Sequence, residues 1–157
     1  MQTRCFVLGV FCCLFIILLV GNAQAQSDEA FLEYRQKIMK SQGASMGAIS
    51  DVLKHKLPFT DHLATHAKDL QASSALIASA FEKQITEGKT DAKPEAWQEW
   101  DKFVAAAKAL GEESGKLAAV AASGDMEAIA AQVKKVGGAC GDCHKPYRKP
   151  EGERFPR

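Results

Sequence analysis

Charge of one sign is missing from this 157-residue chain. There are 20 Lys and Arg against 19 Asp and Glu, for a formal net charge of +1. No overall field therefore favours nucleic acid or an acidic surface. Proline is limited to 5 residues and glycine to 12, which leaves little room for long irregular regions. Sustained alternation of apolar and polar residues, the mark of half-buried strands, is absent. Only one run is apolar enough to matter to a membrane, so a multi-span membrane protein is excluded. What remains is a composition of 46% hydrophobic and 25% charged residues, close to globular averages and unlike a disordered or collagen-like chain.

The apolar run comes first. Residues 5–20 read CFVLGVFCCLFIILLV after Arg4, and Ala23-Gln24-Ala25 follows. A basic start, a short apolar stretch and an A-x-A site describe a secretory signal peptide. A bilayer span needs about 20 apolar residues, and a retained anchor would need a stop-transfer pattern that is missing. No lipobox surrounds Cys12 or Cys13. The predicted cut falls after Ala25, so that 1–25 is the signal and Gln26 the first mature residue. The expected location is the periplasm, with no membrane association after cleavage.

Cleavage also makes cysteine scarce. Cys5, Cys12 and Cys13 leave with the signal, and only Cys140 and Cys143 remain. Two cysteines three apart make no disulfide framework. A domain of this size has to be held by its apolar core.

Four helical segments account for the mature chain. The first has Ser27 as N-cap and Asp28 and Glu29 in its first turn. Its face carries Phe31, Arg35, Ile38, Met39, Gln42, Met46, Ile49 and Leu53, at spacings of three and four, and Pro58 closes it. Thr60 is the expected cap of the second, lined by Leu63, His66, Ala67, Leu70, Ser74, Ile77 and Phe81. Residues 82–93 read as a polar loop around Gly88. Pro94 suits the first position of the third, faced by Trp97, Trp100, Phe103, Val104, Ala107, Leu110, Leu117 and Val120. Gly111 and Gly115 weaken its later part. Ser123-Gly124-Asp125 is a stop followed by a new N-cap. The fourth carries Met126, Ile129, Val133, Val136, Cys140 and His144, and should kink or end at Pro146, which lacks an N–H. Such helices with mostly short links predict an all-α, antiparallel four-helix bundle over 26–149. A mobile, proline-rich tail is expected at 150–157.

Cys140-Gly141-Asp142-Cys143-His144 carries the chemistry. C-x-x-C-H is the attachment sequence of c-type haem. Residues i, i+3 and i+4 share a helix face, so two thiols one turn apart can add to the two vinyl groups of one porphyrin. His144 can then ligate the iron as the proximal ligand. A thioredoxin-like redox pair belongs near a βαβ pattern, which is lacking, and half a zinc site would need a second Cys/His pair. The expected cofactor is one haem c attached through Cys140 and Cys143.

With that motif in place, the mature chain resembles the cytochrome c′ family, including its low-spin c-556-type members. The resemblance rests on three stretches in order: Tyr34-Arg35-Gln36-x-x-Met39-Lys40, Lys93-Pro94-Glu95-x-Trp97, and Gly137-x-x-Cys140-x-x-Cys143-His144-x-x-Tyr147-Arg148. It implies a bundle enclosing the haem, and electron transfer or the binding of nitric oxide or carbon monoxide. It implies that Met39 sits over the distal face, either as sixth iron ligand or as a wall without ligation. A His/Met iron has a raised potential suited to electron transfer. Arg35, a cation on an apolar face, wants an anion, and the resemblance supplies a haem propionate, with Gln36 as another contact. It places Arg148 on the proximal side, a placement that Pro146 puts in question. It also implies a monomer, or a homodimer through the first two helices, where Gly43 and Gly47 would permit close approach.

His66 on the second helix is a rival distal ligand, while His55 and His62 read as exposed. Trp97 and Trp100 are most simply core aromatics. No hydrolytic set or phosphate loop is present, so enzymatic turnover is not indicated. The expected function is a monohaem electron carrier with His144 and Met39 on the iron, serving a redox partner protein that the sequence does not identify. The alternative is a five-coordinate protein that binds nitric oxide or carbon monoxide at an open, apolar distal site.

Overall fold

A computed structural model describes residues 27–156. The predicted signal segment and Gln26 lie outside the described residues. The described chain is helical, with a single isolated β-bridge between Ala92 and Arg148.

Helix α1 spans Asp28–His55. Ser27 caps it as expected, its Oγ accepting from the Ala30 N–H at 3.3 Å. Lys56, at φ 51°, turns the chain out ahead of Pro58. The buried stripe is Leu32, Arg35, Ile38, Gln42, Ser45, Ile49 and Val52. It is thus rotated slightly from the expected face: Leu32 and Val52 go inside, while Phe31 and Leu53 sit at its edges. The Phe31 ring is covered instead by the Lys83 ammonium, 4.8 Å from its centroid.

Thr60 is not a cap. It opens a 3-10 turn, Thr60–His62, that leads into α2, Leu63–Ser74, with no side-chain capping bond to either. The second helix is also broken: α3, Ile77–Phe81, starts afresh after Ala75 and Leu76. The cause is local. Ser73 and Ser74 donate their hydroxyls back to the Asp69 and Gln71 carbonyls, each at 2.7 Å, which competes with the helical ladder. The Leu76 N–H then takes the tighter bond to the Ser73 carbonyl.

After the polar loop, Pro94 precedes a single turn, α4, Glu95–Gln98. Glu99, at φ −116° and ψ 44°, separates it from α5, Trp100–Ser123. Gly111 and Gly115 leave α5 unbroken. At Gly111 a Cβ would lie 2.7 Å from the Ser74 Oγ, so the missing side chain lets α2 and α5 approach closely. Helix α6, Met126–Tyr147, has the expected cap: the Asp125 Oδ1 accepts from the Glu127 and Ala128 N–H groups, each at 3.0 Å. Gly124, at φ 74°, makes the turn before it. Pro146 lies in the last turn and the helix ends one residue later. Met126, expected on the inner face, is exposed.

Helix α1 packs on α2, α2 on α5, and α5 on α6. Ile49, Leu63, Leu70, Leu117, Ile129 and Val136 are fully enclosed among them. Helices α1 and α6 come close at few points. Both nonetheless meet the 82–94 loop: Asp28 pairs with Lys83 at 2.6 Å, and the Lys93 N–H donates to the Tyr147 carbonyl at 2.9 Å. The start of α1 and the end of α6 therefore share one end of the molecule, and the two helices run in opposite directions.

The contrast between glycines is testable. A Cβ on Gly43 would meet nothing within 4 Å, whereas one on Gly111 would face buried Ser74. Gly43→Ala should raise stability by about 0.5–1 kcal/mol through helix propensity. Gly111→Ala should lose that gain to crowding, by about 1–3 kcal/mol. Urea denaturation of the two variants measures the difference.

Candidate haem site

The site is assembled at the end where α1 begins and α6 finishes. Cys140 and Cys143 lie one turn apart on α6, both half-buried against the core and unpaired with each other. Burial pushes the Cys140 thiol up, and pushes Cys143 to about 11, with Cys140 beside it adding to the effect. Both sulfurs are protonated at neutral pH, the form whose S–H adds across a vinyl group. His144 follows at the exposed rim of the helix. The protein around it lowers its pKa, and the positive charges of Arg148 and Arg154 lower it further. Its imidazole is neutral at pH 7, with a lone pair free for a metal. Among the described residues, no group of three His, Cys, Asp or Glu gathers that could hold a metal ion by itself.

Three residues beyond His144, buried Tyr147 anchors the helix end. Its ring stands edge-on to Phe103 at 5.4 Å, within a cluster that includes Phe81, Trp97 and Trp100. Its hydroxyl reaches the Glu99 carboxylate at 3.3 Å. The segment that follows is laid over Asp91. Arg148 pairs with the Asp91 carboxylate at 3.2 Å, and the Lys149 and Phe155 N–H groups donate to the Asp91 carbonyl and carboxylate at 2.8 and 2.9 Å. Arg148 thus lies beside the proximal histidine candidate. The residue that places it, Asp91, has no motif around it that could have marked it.

Across from α6, Arg35 is only 3% exposed. Its Nε donates to the Ala80 carbonyl at 2.8 Å and its Nη2 to the Lys83 carbonyl. The guanidinium lies 4.6 Å from the Phe81 ring centroid and 5.5 Å from that of Trp97. Its Nη1 is buried without a partner, which leaves its N–H groups for an anion. Burial lowers the Arg35 pKa against the opposing pull of Asp28, and the group remains a cation at neutral pH. Gln36 is half-buried and donates to the Lys89 carbonyl at 2.8 Å. Met39 is half-buried against the core. His66 is half-buried on α2, while His55 and His62 are exposed, His62 stacking on Phe59 at 5.2 Å. Trp97 and Trp100 join the aromatic cluster as expected, Trp97 donating to the Phe81 carbonyl at 2.7 Å.

Met46 on α1 lies next to Gly137 on α6. A Cβ on Gly137 would touch the Met46 methyl at 3.9 Å. Met39 lies seven residues before Met46 and His144 seven after Gly137, so the antiparallel helices bring Met39 and His144 to one level, about 10 Å along from that contact. These residues fit a haem c. The chain offers two unpaired thiols and a neutral imidazole on α6, a half-buried thioether on α1, and a buried cation with an unpartnered nitrogen.

The chain is similar to known proteins. The family model described as Cytochrome C′ matches residues 30–148. A cytochrome c′ of Rhodospirillum rubrum is 33% identical over 127 residues, covering 80% of this chain and 86% of that one. A cytochrome c-556 of Agrobacterium fabrum is 32% identical over 138 residues, covering 86% and 90%. A solved nitric oxide complex of a variant cytochrome c′ from Alcaligenes xylosoxidans superposes with a TM-score of 0.69 at 32% identity, covering 78% and 96%. The chain is a c-type cytochrome with a single haem, and it belongs to the cytochrome c′ family. The members of that family bind one covalently attached haem c, which is the cofactor of this chain.

Arg35→Lys should show how much this end depends on the guanidinium. An ammonium cannot reach two carbonyls and lie flat on two rings at once. The variant should lose about 2 kcal/mol, as charged hydrogen bonds of this kind are lost, and its thermal unfolding midpoint should fall accordingly.

Proposed function

We propose that the chain is a periplasmic electron carrier built as an antiparallel four-helix bundle around one haem c. Cys140 and Cys143 form the two thioethers, His144 is the proximal ligand and Met39 the distal one. The observation that carries this reading is the shared level of Met39 and His144 on helices that run past one another without close packing. The bound haem supplies the one-electron couple of its iron. The chain's residues do the rest. The tethers hold the group, Tyr147 and Asp91 fix the helix end that bears His144, and the Arg35 Nη1 donates to a propionate. Gln36 adds a second contact at the same edge. The signal-like 1–25 segment supports export, and no described helix is long and apolar enough to cross a membrane.

A second reading is favoured by the solved relative bound to nitric oxide. There Met39 is a distal wall, the iron is five-coordinate, and nitric oxide or carbon monoxide binds in its place.

Attachment is tested by Cys140→Ala with Cys143→Ala. The double variant should carry no covalent haem on a haem-stained denaturing gel, while each single variant keeps one thioether. Haem that stays covalently bound in the double variant would remove the tether assignment.

Met39 decides between carrier and gas binder. With ligation, the oxidised protein shows a weak near-infrared sulfur-to-iron band. Met39→Ala should abolish that band, lower the reduction potential because the thioether favours ferrous iron, and speed carbon monoxide binding on the order of a hundredfold as the tethered competitor is removed. A wild type that is already high-spin and takes up carbon monoxide readily gives the second reading.

A further inference from the structure

Two buried glutamines in the described chain are treated differently. Gln132 on α6, 6% exposed, donates its Nε2 to the Glu113 carbonyl at 3.1 Å and to the Glu113 carboxylate at 2.7 Å. Gln42 on α1, 8% exposed, has a buried Nε2 with no partner. An amide taken out of water without an acceptor opposes folding, so a helix that keeps one on its innermost stripe holds a donor for something else.

Its place says what for. Gln42 follows Met39 by three residues, which puts the two on neighbouring turns of one face. It follows Arg35 by seven, and Arg35 is the other residue of α1 with an unpartnered buried donor. The two spare donors bracket Met39. By the register of Met46 against Gly137, Gln42 lies level with Cys140 and Gly141, across from the thiols.

We infer that Gln42 is a specificity residue for small ligands at the distal side, its amide donating a hydrogen bond to an acceptor atom of a diatomic molecule there. The inference rests on the reading that the haem lies between α1 and α6. A ligand that gathers negative charge on its outer atom, as nitric oxide does more than carbon monoxide, gains more from such a donor. The distal side is then selective, and is not the open, apolar site of the alternative reading.

Carbon monoxide is the probe, because its stretching frequency reports a donor directly. The ferrous haem-loaded Met39→Ala protein leaves the sixth position open whether or not Met39 ligates. Adding Gln42→Leu should shift the infrared C–O stretch upward and speed nitric oxide release several-fold, with little change in carbon monoxide release. Gln42→Asn, which keeps the amide but shortens its reach, should shift the stretch the same way and covers the case in which the leucine variant fails to fold. An unchanged stretch in the folded variants overturns the inference. If Met39→Ala still alters carbon monoxide association in that case, the haem placement stands and only the role of Gln42 falls. If neither substitution affects any haem signal, both fall.

Discussion

The buried guanidinium of Arg35 is the interaction on which one end of this molecule depends. A cation with so little exposure is costly unless its protons are used. Two of its donors hold the last carbonyls of the α3 region, and its flat face lies on Phe81 and Trp97. The same contacts tie α1 to the polar loop and to the aromatic cluster that receives Tyr147 from α6. Removing the cation would therefore loosen α1, the loop and the helix end bearing His144 together. The Nη1 nitrogen is the part of this arrangement that folding does not use.

A small residue decides how closely two of the helices pair. Helices α2 and α5 approach closely because Gly111 offers no side chain to Ser74. Helices α1 and α6 come close at few points, and at one of them a Cβ on Gly137 would meet the Met46 methyl at an ordinary 3.9 Å. On the proposed reading, this approach brings the Met39 thioether level with the His144 imidazole.

What the sequence reveals and what it hides divide along the distance over which each interaction acts. Ser27, Gly124 and Asp125 cap helices through atoms two or three residues away, so their residue types announce them. The C-x-x-C-H motif is equally local, since one helical turn supplies its geometry. The break between α2 and α3 is less legible: serines occur inside many helices, and only the hydroxyls' return to the Asp69 and Gln71 carbonyls makes Ser73 and Ser74 terminators. The slight rotation of the α1 stripe, with Leu32 inside in place of Phe31, depends on which neighbour each side chain meets. Asp91 and Arg148 are 57 residues apart, and no spacing rule joins them.

Arg35 and Gln42 show the middle case. A charged or amide side chain on an apolar face is visible in the sequence as an anomaly, but its partner is not. The structure gives Arg35 two backbone carbonyls, which have no signature in any sequence, and gives the Gln42 amide nitrogen none. Folding therefore separates the two buried glutamines into one that is satisfied within the protein and one that is not. The bundle thus leaves the Gln42 amide unsatisfied three residues from Met39, yet satisfies Gln132 twice over.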